Sequence, residues 1–261
     1  NTRNLSGVLN DQNSTKNGSQ FVVKTKIWQI AFDKETGYLV DVSDANNNYL
    51  EFPLKPNFWR APTDNDLGNG LQKRAEIWKD ITTNMKFENF NHSFENNKVV
   101  IITEHFYKNI FRQITTYTID AQGAINIAVA IESDKMLPEI PRIGMTGTFN
   151  GNLDTVVWYG RGPEENYWDR KTASFIGIYE DVVENMNTKY IRPQENGNRS
   201  DVSWFILKNS KGNGLKFESD TVFNFSVFPF SYDELSHYSQ DTNKQGSEIL
   251  SSGLTTLNID H

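Results

Sequence analysis

"INIAVAIES", Ile125–Ser133, sets Ile125, Ile127, Val129 and Ile131 one residue apart, with small or polar residues between them. A period of two places all four on one face of an extended strand. The same alternation spreads outward from this stretch. "RQITTYTID" (Arg112–Asp120) and "VVIITEHFY" (Val99–Tyr107) precede it across short turns, which predicts a meander of long antiparallel strands. Nearer the start, "FVVKTKIWQIAFD" puts Trp28, Ile30 and Phe32 on one face, and a turn at Glu35–Gly37 leads into "YLVDVSD", a hairpin pattern. Downstream, "TVVWYG", "SFIGIYE", "SWFILKN", "GLKFES" and "FNFSVF" repeat the theme, with turns such as "SKGNG" (Ser210–Gly214) between them. Helical periodicity is confined to "LQKRAEIWKDI" and "SYDELSHYS". About a dozen strands exceed the seven of an immunoglobulin-type sandwich, and no repeat of blade length recurs. The predicted fold is all-β, a large antiparallel two-sheet sandwich. Because the alternation runs from Phe21 to Val227 without a break in composition, a single domain is expected over residues 20–261.

The chain has 261 residues and a formal charge of −7, with Lys and Arg scattered along it. It therefore offers neither a basic stripe for phosphates nor a polybasic segment for an anionic membrane. No nucleic acid or membrane partner is expected. It contains no cysteine, which removes disulfides, thiolate metal sites and cysteine nucleophiles together. No apolar run approaches the roughly 18–20 residues of a membrane span, and the N-terminus lacks a signal pattern. The expectation is a soluble chain of the cytoplasm or periplasm. Residues 1–19, rich in Asn, Ser, Gly and Thr, read as a linker or disordered lead-in.

Three polar, Pro- and Gly-punctuated segments interrupt the strands: "NFWRAPTDNDLGNG" (Asn57–Gly70), "WYGRGPEENYWDR" (Trp158–Arg170) and "YIRPQENGNRSD" (Tyr190–Asp201). Aromatic rings beside paired carboxylates are what a glycosidase uses to hold and cleave a sugar. Arg forks satisfied by carboxylates and carbonyls equally build interlocked loop scaffolds. Candidate residues on these loops, structural or sugar-facing, are Arg60, Asp64, Asn65, Asp66, Glu165, Asn166, Tyr167, Asp169, Arg170, Glu195, Asn196 and Arg199. Most are expected to be engaged within or between their loops. "TDND" (Thr63–Asp66) has oxygens at a spacing that calcium uses, but it lacks the rest of an EF-hand loop and reads as an Asx-turn. The histidines, His92, His105, His237 and His261, show no metal-ligand spacing, so no metal site is assigned. "NHSFEN" (Asn91–Asn96) resembles the His-containing strand of aldose mutarotases, yet its charged surroundings before a hairpin make His92 a turn residue. There is no P-loop, nucleophile elbow or dinucleotide fingerprint.

In this order, "NFWRAPTDNDLG", "WYGRGPEENYWDR", "RPQENGNR" and the terminal "LNID" (Leu257–Asp260) resemble the C-terminal, small-chain domain of glycoside hydrolase family 2 β-galactosidases. The resemblance runs from about Phe21 to the end. It implies a galactose-mutarotase-like supersandwich, and a parent enzyme that hydrolyses terminal β-D-galactosides with retention. It also implies that the acid/base and nucleophile glutamates lie in a separate TIM barrel, the chief partner of this domain, so that no catalytic residue is expected here. Carbohydrate is the implied ligand of the parent. Magnesium and sodium occur in the family, but no ligand for either is assignable in this chain. Relatives continue beyond "LNID", so the domain is expected to be truncated at its C-terminus. In some of them an aromatic residue just before "LN" approaches the galactose; here Thr256 stands there. Two other readings remain: a carbohydrate-binding module using Trp78, Trp158, Trp168 or Trp204, and an aldose-1-epimerase-like enzyme using His92 or His105 with a carboxylate.

Overall fold

The computed structural model describes residues 14–239 and 244–261, which form an all-β molecule of antiparallel sheets. Strands β1 to β4 are Ser14–Asn17, Gln20–Lys24, Gln29–Asp33 and Leu39–Ser43, followed by β5 at Leu50–Asn57. Helices α1 (Asp64–Asn69), α2 (Leu71–Arg74) and α3 (Glu76–Asn84) come next. Then come β6 (Lys86–Glu95), β7 (Lys98–Tyr107), β8 (Phe111–Asp120), β9 (Ile125–Ser133), β10 (Gly144–Asn150), β11 (Thr155–Gly162) and β12 (Phe175–Val182). The series closes with β13 (Arg199–Lys208), β14 (Gly214–Phe228), helix α4 (Tyr232–Tyr238) and β15 (Leu254–Asp260).

The fold divides into two compact units, one of residues up to Pro53 plus Thr83–Leu137, the other of Leu54–Thr82 plus Pro138–His261. Nothing in the alternation announces this division. In the first unit, β1 to β4 form consecutive hairpins and β6-β7-β8-β9 form a four-stranded meander. Its core gathers Phe21, Phe32 and Tyr117, with the Phe32 and Tyr117 rings edge-on at 4.9 Å. In the second unit the order is β10-β15-β14-β13-β11-β12, so the last strand lies between β10 and β14. Trp158, Phe205 and Phe225 fill its core, the two Phe rings stacked 4.4 Å apart.

Three local expectations change. Ser14–Asn17, assigned to the lead-in, pairs with β2 across a two-residue turn whose first member, Gly18, has φ +60°. That left-handed backbone is what tight hairpins demand and glycine supplies. Residues 1–13 lie outside the described residues. His92 is not a turn residue: it sits within β6, its ring 4.5 Å from Phe21, and the turn is at Asn96 and Asn97, both with positive φ. "TDND" opens helix α1 instead of closing an Asx-turn. Thr63 Oγ1 accepts from the Asp66 N–H (3.1 Å) while Asp66 Oδ2 accepts from the Thr63 N–H (3.0 Å), a capping box.

Candidate functional site

The three polar loops all belong to the second unit, and each is fixed by its own carboxylate. On the first, Asp66 caps α1 and also takes Arg60 in a two-pronged pair, Nε at 3.1 Å and Nη2 at 2.8 Å. Neighbouring Asp64 is held from the third loop: Gln194 accepts from its N–H (3.1 Å) and donates to its carboxylate (3.0 Å). Asn65 is exposed on α1.

Glu165 anchors the second loop to the third. Its Oε1 accepts from Arg170 (2.7 Å) and from the Tyr190 hydroxyl, and its Oε2 from the Gly197 N–H (2.7 Å) and Thr188 Oγ1 (2.9 Å). Burial alone would raise its pKa, but the four donors hold it below the ordinary glutamate value. Asn166 zips the same two loops together. Its Oδ1 accepts from the Ser200 N–H (2.9 Å) and hydroxyl (2.5 Å), its N–H donates to Asn198 O (2.8 Å), and Asn198 Nδ2 donates to Asn166 O (2.7 Å). Asn196 is buried, donating to Gln194 O and accepting from the Thr188 N–H, both at 3.0 Å. The Arg170 guanidinium lies over the Tyr167 ring at 4.7 Å, but its side chain is 52 % exposed. Asp169 is exposed and makes none of the expected loop contacts among the described residues.

Glu195 is buried as well. Its Oε1 accepts from Arg142 Nη2 at 2.7 Å and its Oε2 from the Tyr232 hydroxyl at 2.6 Å. The Tyr232 oxygen in turn accepts from the Ala61 N–H (2.8 Å), and the Glu195 N–H donates to Ala61 O (3.1 Å), so the first and third loops meet at one residue. Arg142 spans two carboxylates, reaching Asp260 with Nε at 3.1 Å, and lies 5.3 Å over the Tyr232 ring. Burial pushes the Asp260 carboxyl up to about 6, against the pull of Arg142 and helped by Glu195. For Arg142, burial opposes the charge, yet Asp260 and Glu195 keep its pKa well above the ordinary value.

Arg199 is different. It is buried over Trp158 (5.4 Å), donates to Gly197 O (2.9 Å), and has no carboxylate in ion-pair range among the described residues. Burial lowers its pKa accordingly. One residue beyond Ser200, Asp201 takes φ +52° at a β-bulge and binds Arg161 (2.5 Å) and Lys171 (2.8 Å).

Sequence reading had no place in the site for Arg142, Tyr232 and Asp260. One signal was available in "PRIG": a Cβ at Gly144 would lie 2.1 Å from Asp260 Oδ1, so glycine there marks a close approach to the acid that Arg142 binds. The tryptophans of the binding-module reading are mostly enclosed. Trp78 and Trp158 are buried and Trp204 is half-buried, leaving only Trp168 open. In the first unit His105 is buried, its Nε2 bonded to Thr36 O at 2.8 Å and its ring stacked on Tyr38 at 4.7 Å, and burial lowers its pKa. No described helix is long and apolar enough to cross a membrane. Among the described residues no three His, Asp or Glu side chains gather as metal ligands would.

Antiparallel sheets tied together by interlocked Arg- and carboxylate-bearing loops make this an all-β domain. Residues 24–261 match the family described as "Beta galactosidase small chain", and the chain belongs to that family. It is similar to a β-galactosidase of Priestia megaterium, 34 % identical over 230 residues, covering 88 % of this chain and 22 % of the relative. A β-galactosidase of Oenococcus oeni is 31 % identical over 241 residues, 87 % of this chain and 23 % of the relative. The chain thus spans about a fifth of the length of these relatives. Among solved structures, a copper-containing benzylamine oxidase from Hansenula polymorpha aligns over 95 % of this chain and 57 % of its own, with TM-score 0.39 and 11 % identity. That likeness carries no argument.

Proposed function

We propose that the chain is a non-catalytic domain of a glycoside hydrolase family 2 β-galactosidase, of galactose-mutarotase-like type, which shapes the active-site entrance or the interface with a catalytic TIM barrel. The parent would hydrolyse terminal β-D-galactosides with retention, through two carboxyls on the barrel. The observation that carries this reading is the saturation of both loop glutamates. A catalytic carboxyl needs an oxygen free to meet the anomeric carbon or the leaving group, whereas Glu165 accepts from four donors and Glu195 is split between Arg142 and Tyr232. Family membership and the share of the relatives covered support it.

The test compares the purified chain with the full-length parent on a chromogenic β-galactoside. We expect turnover only from the parent. Turnover by the chain that disappears in Glu165→Gln would overturn the reading.

A further inference from the structure

Strand β12 ends its sheet: it pairs with β11 on one side, and no described strand lies on the other. All eight of its residues stay in register with β11, from Thr155↔Val182 to Gly162↔Phe175, without a bulge. Proteins shield such edges with lysine, proline, bulges or short length, because the open row of N–H and C=O groups accepts another strand. "FIGIYEDV" contains no lysine and no proline. Its side chains add apolar surface instead: Phe175 is 75 % exposed, Ile178 68 % and Ile176 48 %. On the same sheet face, Ile178 lies opposite the exposed Tyr159 of β11, and Tyr159 is opposite Trp204 of β13, the rings 6.3 Å apart.

We propose that this edge is a self-association surface, at which β12 pairs antiparallel with β12 of a second copy of this chain. Three features point to a copy of itself. The acidic residues on the strand are already satisfied: Glu180 is paired with Lys208 at 2.9 Å, and Asp181 Oδ1 accepts from Asn185 Nδ2 at 3.0 Å and from the Val182 N–H at 2.8 Å. A two-fold pairing centred on Ile178 sets Asp181 opposite Phe175 of the other copy, so two acidic copies can meet here without bringing like charges face to face. With the Val182 N–H engaged, the open backbone centres on Ile178. A two-fold axis there sets Ile178 opposite itself and Ile176 opposite Glu180, with no charge facing a like charge. The Ile176, Ile178 and Tyr159 side chains of both copies then form one apolar stripe on a common face, the isologous arrangement that a two-fold dimer requires.

Sedimentation equilibrium of the purified chain across the micromolar range tests this. The expected result is a reversible monomer–dimer equilibrium in which Ile178→Lys weakens association about tenfold or more. Ile178→Lys should leave the thermal transition of the monomer unchanged, because the side chain is exposed. Val129→Lys, on β9, an edge strand of the four-stranded meander, should leave the dimer intact. A chain that stays monomeric throughout overturns the proposal, as does a dimer that survives Ile178→Lys or dissolves with Val129→Lys. Protection of the Ile176–Glu180 amides from hydrogen exchange, rising with concentration, is the accompanying signature, and its absence in the dimer overturns the strand pairing.

Discussion

The Arg142 side chain is almost wholly buried between Glu195 and Asp260. Removing one partner of such a cluster strands the others in low dielectric. Arg142→Met is expected to cost about 3–5 kcal/mol in urea unfolding. Arg170→Ala should cost only about 1 kcal/mol or less, because its pair with Glu165 is half in water. Asp260 gives a pH signature. Its folded pKa of about 6 exceeds the usual value of 3.8, so between those pH values the native state holds a proton that the unfolded chain releases. Its contribution to stability is therefore present below the unfolded pKa and is lost as pH rises through about 6, by on the order of 3 kcal/mol. Glu165 acts in the opposite sense: its pKa is lowered, so its contribution is lost as pH falls through its folded value. Asp260→Asn is expected to flatten the stability profile on the side approaching pH 6, and Glu165→Gln on the acid side, both checked by urea titrations at stepped pH. Much of this was invisible in sequence. Glu195 stands out in its Pro- and Gly-flanked loop, but Arg142 is 53 residues away and is joined to it only by the fold.

At the level of elements, legibility follows contrast between faces. β7 and β8 bury every second residue, and their alternation reads directly from the sequence. In β6, "KFENFNHSFE", Phe90, His92 and Phe94 alternate with polar residues, but a bulge between Phe87 and Asn89 breaks the period and no position is fully buried, so the strand reads only weakly from the sequence. The α1 start was legible in principle, since Thr63 and Asp66 have the spacing of a capping box, but the same residues also fit a turn. Thr63→Ala should destabilise the second unit by about 1 kcal/mol, measurable as a lowered melting temperature, by releasing the Asp66 N–H.

For the whole molecule, fold class and family were legible because each rests on many residues at once: strand alternation for the first, the order of three irregular loops and "LNID" for the second. The partition into two units was not, because it depends on which strands pair at long range, and the composition does not change at Pro53, Thr83 or Leu137. The position of β15 has one further consequence. Because β15 runs between β10 and β14, the sheet of the second unit is incomplete until Leu254–Asp260, which follows both in sequence, has been inserted. On a ribosome, β10 and β14 emerge first and must wait with facing edges open, exposed to chaperones or to misassociation, until Leu254–Asp260 clears the exit tunnel. The same gap makes this strand a natural exchangeable part. A chain lacking Leu254–Asp260 is expected to lose cooperative unfolding of the second unit and to recover it when a peptide spanning Ser251–His261 is added in trans, which calorimetry would read directly.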